Sequence, residues 1–337
     1  MLGEINKKIV ASLDALNSGV PWKSIDFLGI CRQIRKLYED DVVFRLRFDN
    51  VFRYGLIREP DDQGLAPLAY LVSSAGESLL KKNWVFPQLF CFHIHCDLEN
   101  SDLLEIGGYL PPSVIDLFGV RNYTGSGLNE DIRNLYRAGS ESNCSSSFVN
   151  IDIQDPLQVS ALGKYTRIFS TACFEHILDL EAALDNCYQL IGDIGYLYSY
   201  IAPVWTFPLG GQHGYVDPDV LPGQQNQFGF HLLPVSSQIS ILKSKSINKG
   251  LIEKVLCRLH FNDDVNERPF EYYQRALTES KFLCLKLDQI QNLNISKLNP
   301  GMASLIRKSY PDSNLTTSGI RVLLSKGVYP PYLENSN

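Results

Sequence analysis

The sequence has no CxxC pair, no cluster of lysine and arginine, no internal repeat and only two methionines. Each absence removes a class of protein. Without CxxC pairs or a secretory leader, the eight cysteines (31, 91, 96, 144, 173, 187, 257 and 284) read as reduced core residues rather than a disulfide framework. With 31 basic and 37 acidic residues the net charge is −6, and the chain lacks the electrostatic footprint of a nucleic-acid binder. An uncharged stretch as long as any in the chain, between Asp193 and Asp217, contains Pro203, Pro208, Gly210, Gly211, Gln212 and His213, which would place broken backbone and polar groups in lipid. No membrane association is expected. The first twenty residues, MLGEINKKIVASLDALNSGV, mix charged and apolar positions with no hydrophobic core, so no signal peptide is expected and the compartment reads as cytoplasmic.

What is present suits a large folded chain: 337 residues, 45% hydrophobic and 11% aromatic, enough for one large domain with an extension or for two domains. Residues 1–100 read as a mainly helical, partly irregular N-terminal extension, with Leu13, Leu16, Ile25, Leu28, Ile34 and Leu37 on broken helical spacing. Residues 40–58 fit helix and strand equally well. From residue 101 to about 330, short apolar runs alternate with amphipathic segments, the pattern of a parallel sheet with crossover helices. Strands are expected at 102–106, 122–124, 148–152, 167–171 and 195–201, with later runs at 282–287 and 320–325. A short helix should open at Pro111-Pro112-Ser113, a longer one should run over 180–191, and another over 269–280. The Pro-, Gly- and Gln-rich segment 203–234 is too long for a simple connection and reads as a lid or binding loop.

Ligands of open parallel sheets bind beyond the carboxyl ends of the strands, where strand order reverses. The residues placed there are Glu105-Ile106-Gly107-Gly108, Asp152-Ile153 and Thr171 through His176, followed by Pro203-Val204-Trp205. Glycines let backbone approach a ligand, the next helix N-terminus favours an anionic group, and strand-end carboxylates can accept from ribose hydroxyls or an exocyclic amine. This describes a nucleoside site without the G-x-G-x-x-G series of a dinucleotide.

Taken in order, these features resemble the class I S-adenosylmethionine-dependent methyltransferases. Leu103-Leu104-Glu105-Ile106-Gly107-Gly108 is similar to that family's first motif, and Asn150-Ile151-Asp152-Ile153 to its third-strand motif, whose acid meets the adenine amine. The segment from Ile168 to Ile177, containing Thr171, Glu175 and His176, resembles the fourth-strand motif of small-molecule members. The resemblance covers roughly residues 101–326. It implies a doubly wound, mostly parallel seven-stranded sheet (a Rossmann-like methyltransferase fold), S-adenosyl-L-methionine as cofactor, and methyl transfer to a small-molecule acceptor. It also implies that Glu105, Gly107, Gly108, Gly127, Asp152, Ile153 and Thr171 hold the cofactor. Two departures stand out. Tyr109 takes the place of a further glycine, and Gly127 takes the place of the acid that grips the ribose, with Glu130 or Asp131 as substitutes on the following turn.

If the acceptor is a hydroxyl, a base assists the transfer, and His176 and His213 are the two candidates near neutral pH. Glu175 would orient an imidazole or the substrate. Trp205, Phe207 and Tyr215 would exclude water or face a sulfonium, and Trp205 and Tyr215 are the substrate-binding candidates. The N-terminal region and the 203–234 loop are expected to build the acceptor pocket, with a sugar or other polyhydroxylated metabolite as acceptor. Each candidate has a structural rival: His176 capping a helix, Glu175 as an N-terminal helix charge. Ala172 stands where metal-binding relatives carry their first acid, which argues against a metal. The Cys91-x-His93-x-His95-Cys96 cluster sits in an apolar run, 84–96, that reads as a buried strand. On a strand residues 91, 93 and 95 would share a face, yet hydrogen-bonded core histidines are favoured over zinc. Two other classes stay in view: a methyltransferase-like module that no longer transfers methyl groups, and a nicotinamide dehydrogenase, disfavoured by the missing third glycine.

Overall fold

The computed structural model describes residues 1–52, 64–80, 84–108, 110–128, 144–207, 229–260, 265–291 and 300–327. The N-terminal region is helical, as its spacing predicted: α1 Leu2–Asn17, α2 Phe27–Asp40, α3 Val42–Val51, α4 Ala66–Ala75 and α5 Val85–Cys96. Aspartates start two of these helices. Asp26 accepts from Gly29 N–H at the head of α2, and Asp41 accepts from Val43 and Phe44 N–H at the head of α3. The undecided stretch after residue 40 is therefore helix over Val42–Val51; residues 53–58 lie outside the described residues.

The 84–96 run is a helix, not the expected strand. All twelve residues of α5 are buried, and a uniformly apolar run carries no period from which to tell a buried helix from a buried strand. Length decides, since twelve residues exceed the usual span of a buried strand. On a helix Cys91 and His95 share a face while His93 turns away, so the convergence that a strand would create disappears. His93 Nδ1 instead accepts the Leu98 N–H at 3.2 Å. Among the described residues no group of three or more His, Cys, Asp or Glu side chains is placed to hold a metal ion.

Seven strands follow: β1 Asp102–Ile106, β2 Asn122–Ser126, β3 Ser145–Val149, β4 Tyr165–Thr171, β5 Ile191–Ile201, β6 Leu283–Gln291 and β7 Thr317–Lys326. They are ordered β3-β2-β1-β4-β5-β7-β6. The pairs β1–β2, β1–β4 and β2–β3 are parallel. β7 runs against β5: Gly319 lies on the Ile201 carbonyl and Gly327 on the Asp193 carbonyl, so positions rise along one strand as they fall along the other. β6 runs against β7 by the same test, with Ser318 Oγ bonded to Ile290 O at 2.9 Å and Arg321 bonded to Asp288. Parallel strands joined by crossover helices are what the alternating pattern predicted, and the seven-stranded, mostly parallel sheet is what the family resemblance implied.

The crossover helices are α6 Pro112–Asp116, α7 Pro156–Val159 and α8 Leu180–Leu190; α9 Val235–Ser244, α10 Lys249–His260, α11 Phe270–Thr278 and α12 Pro300–Ser309 complete the set. The third strand lies earlier than expected, at Ser145–Val149, so Asp152 stands three residues beyond its end. Strand β5 begins directly after α8, at Ile191 rather than near Gly195.

The described chain divides into two compact units. Residues up to 171, 185–198 and 323–327 form the first, and 172–184 with 199–322 the second. In the first, α5 covers the sheet through Phe92, whose ring stacks on Phe169 and Tyr198 at centroid distances of 6.0 and 5.4 Å. In the second, Trp205, Phe230, Leu232, Leu233, Leu242, Ile252, Val255 and Ile306 form a separate apolar core. No helix among the described residues is long and apolar enough to cross a membrane. Of the eight cysteines five are buried, Cys173 and Cys284 are half-buried and Cys257 is exposed, so the core reading fails for Cys257.

Candidate active site

In the first unit the carboxyl ends of β1, β2, β3 and β4 are brought side by side by register. Ile106 pairs with Ser126 and with Ser170, and Ser126 pairs with Val149. The strand order reverses between β1 and β4, which is where an open parallel sheet leaves a crevice. Gly107 and Gly108 leave β1 with φ of 102° and 54°, both in the left-handed region that side chains disfavour. The turn is docked on the next strand: Gly107 N–H donates to Ser126 O at 2.8 Å, and Ser126 Oγ donates to Glu105 O at 3.0 Å. Gly127 faces the same turn. A Cβ there would sit 3.7 Å from Gly107 O, an ordinary contact, so its glycine is not forced by space.

Glu105 is 1% exposed. Its Oε2 accepts from Leu110 N–H at 3.1 Å and from the Tyr123 hydroxyl, which also reaches Leu110 O at 3.0 Å. The acid thus ties the far side of the glycine turn to β2. Asp152 is half-buried and closes a tight turn in which its Oδ1 accepts Gln154 N–H at 2.9 Å and Gln154 Nε2 at 3.1 Å. Ile153 is buried, and its carbonyl accepts from Asn186 Nδ2 at 2.9 Å. Thr171, at the end of β4, is 1% exposed, and its hydroxyl has no hydrogen-bond partner among the described residues. The helix expected to offer its N-terminus to an anion is α6, a five-residue turn preceded by Pro111 and beginning at Pro112. Two prolines remove two of the donors such a site would use.

The second unit opens with Ala172, a non-glycine residue at φ 48° whose N–H donates to Tyr200 O at 2.8 Å. A left-handed alanine costs roughly 1–2 kcal/mol and persists only where its surroundings over-determine it. The turn Phe174–His176 follows, not an α-helix N-terminus. His176 is half-buried, with its N–H on Cys173 O at 2.8 Å. Glu175 is 1% exposed, neither carboxyl oxygen has a partner among the described residues, and desolvation pushes its pKa well above the ordinary carboxylate value. Trp205 is 3% exposed and packs edge-on against His231 at 4.9 Å, with its carbonyl bonded to His231 Nε2 at 2.9 Å. Burial lowers the His231 pKa to about 4.

His213, an expected base, and Tyr215, an expected substrate-binding residue, lie outside the described residues, as do Tyr109, Glu130 and Asp131. The structure adds one residue that the sequence did not single out. Asn266 binds the main chain of Phe174, Glu175 and Ile177 across about ninety residues of sequence. No motif surrounds it, and only the folded chain brings it to the Glu-His turn.

No protein-family model matches this chain, and no curated protein matches it. Solved structures do. One is an S-adenosylmethionine-dependent methyltransferase from Archaeoglobus fulgidus, 11% identical, covering 74% of this chain and 97% of that one with a TM-score of 0.42. Another, from Mesorhizobium loti, is also described as S-adenosylmethionine-dependent; it is 11% identical and covers 68% and 92% with a TM-score of 0.38. A third is geranyl diphosphate methyltransferase solved in complex with its S-adenosylmethionine, 13% identical, covering 79% and 92% with a TM-score of 0.38.

Proposed function

We propose that this chain is an S-adenosylmethionine-dependent methyltransferase acting on a hydroxyl of a small-molecule acceptor, with a sugar or other polyhydroxylated metabolite as the acceptor class. Residues 101–330 form its transferase domain and residues 1–100 the helical extension. The observation that carries the reading is the left-handed Gly107–Gly108 turn at the carboxyl end of β1, at the point where strand order reverses.

The residues of the first unit suit the cofactor. A turn free of side chains lets the main chain approach a ligand, Asp152 offers a carboxylate to an exocyclic amine, and the buried hydroxyl of Thr171 has no partner among the described residues. Glu105 acts on the turn itself, by holding Leu110 and Tyr123. When bound, S-adenosylmethionine supplies a methyl group on a positively charged sulfur. The chain's own task is then to orient the acceptor oxygen, exclude water and take the hydroxyl proton. Orientation alone is worth about 7–11 kcal/mol in favourable cases, and a positioned base about 10²–10⁴-fold in rate. His176 and His213 are the proposed proton acceptors, and Trp205 and Tyr215 the proposed substrate-side aromatics.

Titration calorimetry with S-adenosylmethionine and S-adenosylhomocysteine tests the reading. Heat with micromolar affinity is expected for both, and Asp152→Ala should weaken binding about tenfold, the equivalent of one hydrogen bond to a charged group. Silence at millimolar ligand would remove the methyltransferase assignment in favour of an inert module.

A further inference from the structure

Cofactor binding leaves Glu175 unexplained. Its carboxyl is buried and has no hydrogen-bond partner among the described residues, a state that costs about 1–3 kcal/mol and calls for a ligand, an ordered water or a strained role. The backbone beneath it is nevertheless firmly held. Asn266 donates its main-chain N–H to Glu175 O at 2.8 Å and its Nδ2 to Phe174 O at 3.0 Å and Ile177 O at 2.8 Å. Its Oδ1 accepts from the Tyr273 hydroxyl at 2.6 Å and from Arg268 N–H at 3.2 Å. One residue therefore holds three carbonyls of a single turn, two through its side chain and one through its main-chain N–H, beneath a carboxyl that gains no bond from it.

The neighbours do not neutralise it. Tyr200 and Tyr273 interact with it electrostatically, and both phenols hold their protons more tightly, first through burial and then through a charge on Glu175, Tyr200 up to about 12. Arg321, the cation that acts on Tyr200, is paired with Asp288 at 2.6 Å. Burial favours the neutral form of Glu175, which carries one donor beside one acceptor. A hydroxyl presents the same two functions in complement. An anion would set acceptors against the carbonyl oxygen and leave its charge buried.

We propose that Glu175 is the acceptor-recognition group, pairing through its carboxyl with an uncharged hydroxyl of the small-molecule substrate, and that Asn266 is its positioning residue. The proposal deepens the methyltransferase reading and rests on it. It is tested on the full chain with Glu175→Leu, Glu175→Gln and Asn266→Ser, and with three probes of one size: benzyl alcohol, benzylamine and benzoate. A bare acid kept for a ligand predicts that Glu175→Leu raises the unfolding midpoint by a few degrees, because function rather than stability retains it. Benzyl alcohol should bind the wild type and Glu175→Gln within about threefold of each other and Glu175→Leu at least tenfold more weakly, with benzoate excluded. In Asn266→Ser the Glu175 carbon resonance should titrate at lower pH while far-ultraviolet dichroism stays unchanged. A lowered midpoint in Glu175→Leu, no binding of benzyl alcohol to the wild type, equal binding to all variants, or a preference for benzoate or benzylamine would overturn it. Cofactor calorimetry on the wild type separates the two claims, since silence there sinks the transferase reading and leaves the Glu175 measurements standing.

Discussion

At Gly107 the main chain takes φ 102°, and at Gly108 it takes φ 54°. The two positions differ in what they tolerate. The first lies beyond the left-handed helical region, and a side chain there is strained by about 1–3 kcal/mol. The second falls within it, where asparagine is at home. Gly107→Ala should abolish cofactor heat, whereas Gly108→Asn should keep it within a few-fold; equal effects from both would show that the turn's shape is not what the ligand needs. Glu175 gives a second prediction, in pH. Its folded pKa is raised, so above about pH 4.5 the unfolded chain loses a proton that the folded chain keeps, and stability falls as pH rises through the folded value. The gain in unfolding temperature from Glu175→Gln should be near zero at pH 4 and grow towards pH 8. A gain independent of pH would mean that the acid is already ionised. Glu105 and Gly107 were legible as strand-end residues because an acid and a glycine following an apolar run mark a strand end, whereas Asp152 lies three residues beyond β3. Asn266 was not, because its value lies in bonds to Phe174 and Ile177 some ninety residues away.

Among the elements, α5 shows where local pattern fails. A run in which every residue is buried has no polar face to report a period, so both geometries fit and only tertiary packing decides. The half-exposed helix α8 was legible to within one residue, since Leu180, Ala183, Leu184 and Cys187 return to one face. β3 was displaced in the reading because three serines open it, and serine carries little strand signal. α5 also supplies a prediction. Gln88 Oε1 accepts the Tyr198 hydroxyl at 2.6 Å, and its Nε2 is buried without a partner among the described residues. Tyr198→Phe should cost about 1–3 kcal/mol in denaturant unfolding, the penalty for stripping a buried acceptor. A neutral result would place water at that amide.

Among the described residues each compact unit carries a histidine whose pKa burial lowers to about 4: His93 in the first and His231 in the second. Between that value and the ordinary 6.5 the unfolded chain binds protons that the folded chain refuses. Stability is therefore fully present above pH 6.5 and lost as the solution is acidified towards 4, by about 1.4 kcal/mol per pH unit for each histidine. His231→Gln should flatten this acid limb in a scanning-calorimetry series; an unchanged slope would show that His231 is already charged. The threading of the chain has a further consequence. The first unit gathers the described residues up to 171, then 185–198, and lastly 323–327. During synthesis at about 5–20 residues per second, some 8–30 s elapse between the emergence of β4 and that of the end of β7. For most of that interval a nascent chain would display strands β1–β5 with the β5 edge, later covered by β7, still open. Biogenesis of this protein should consequently lean on ribosome-associated chaperones more heavily than its modest size suggests.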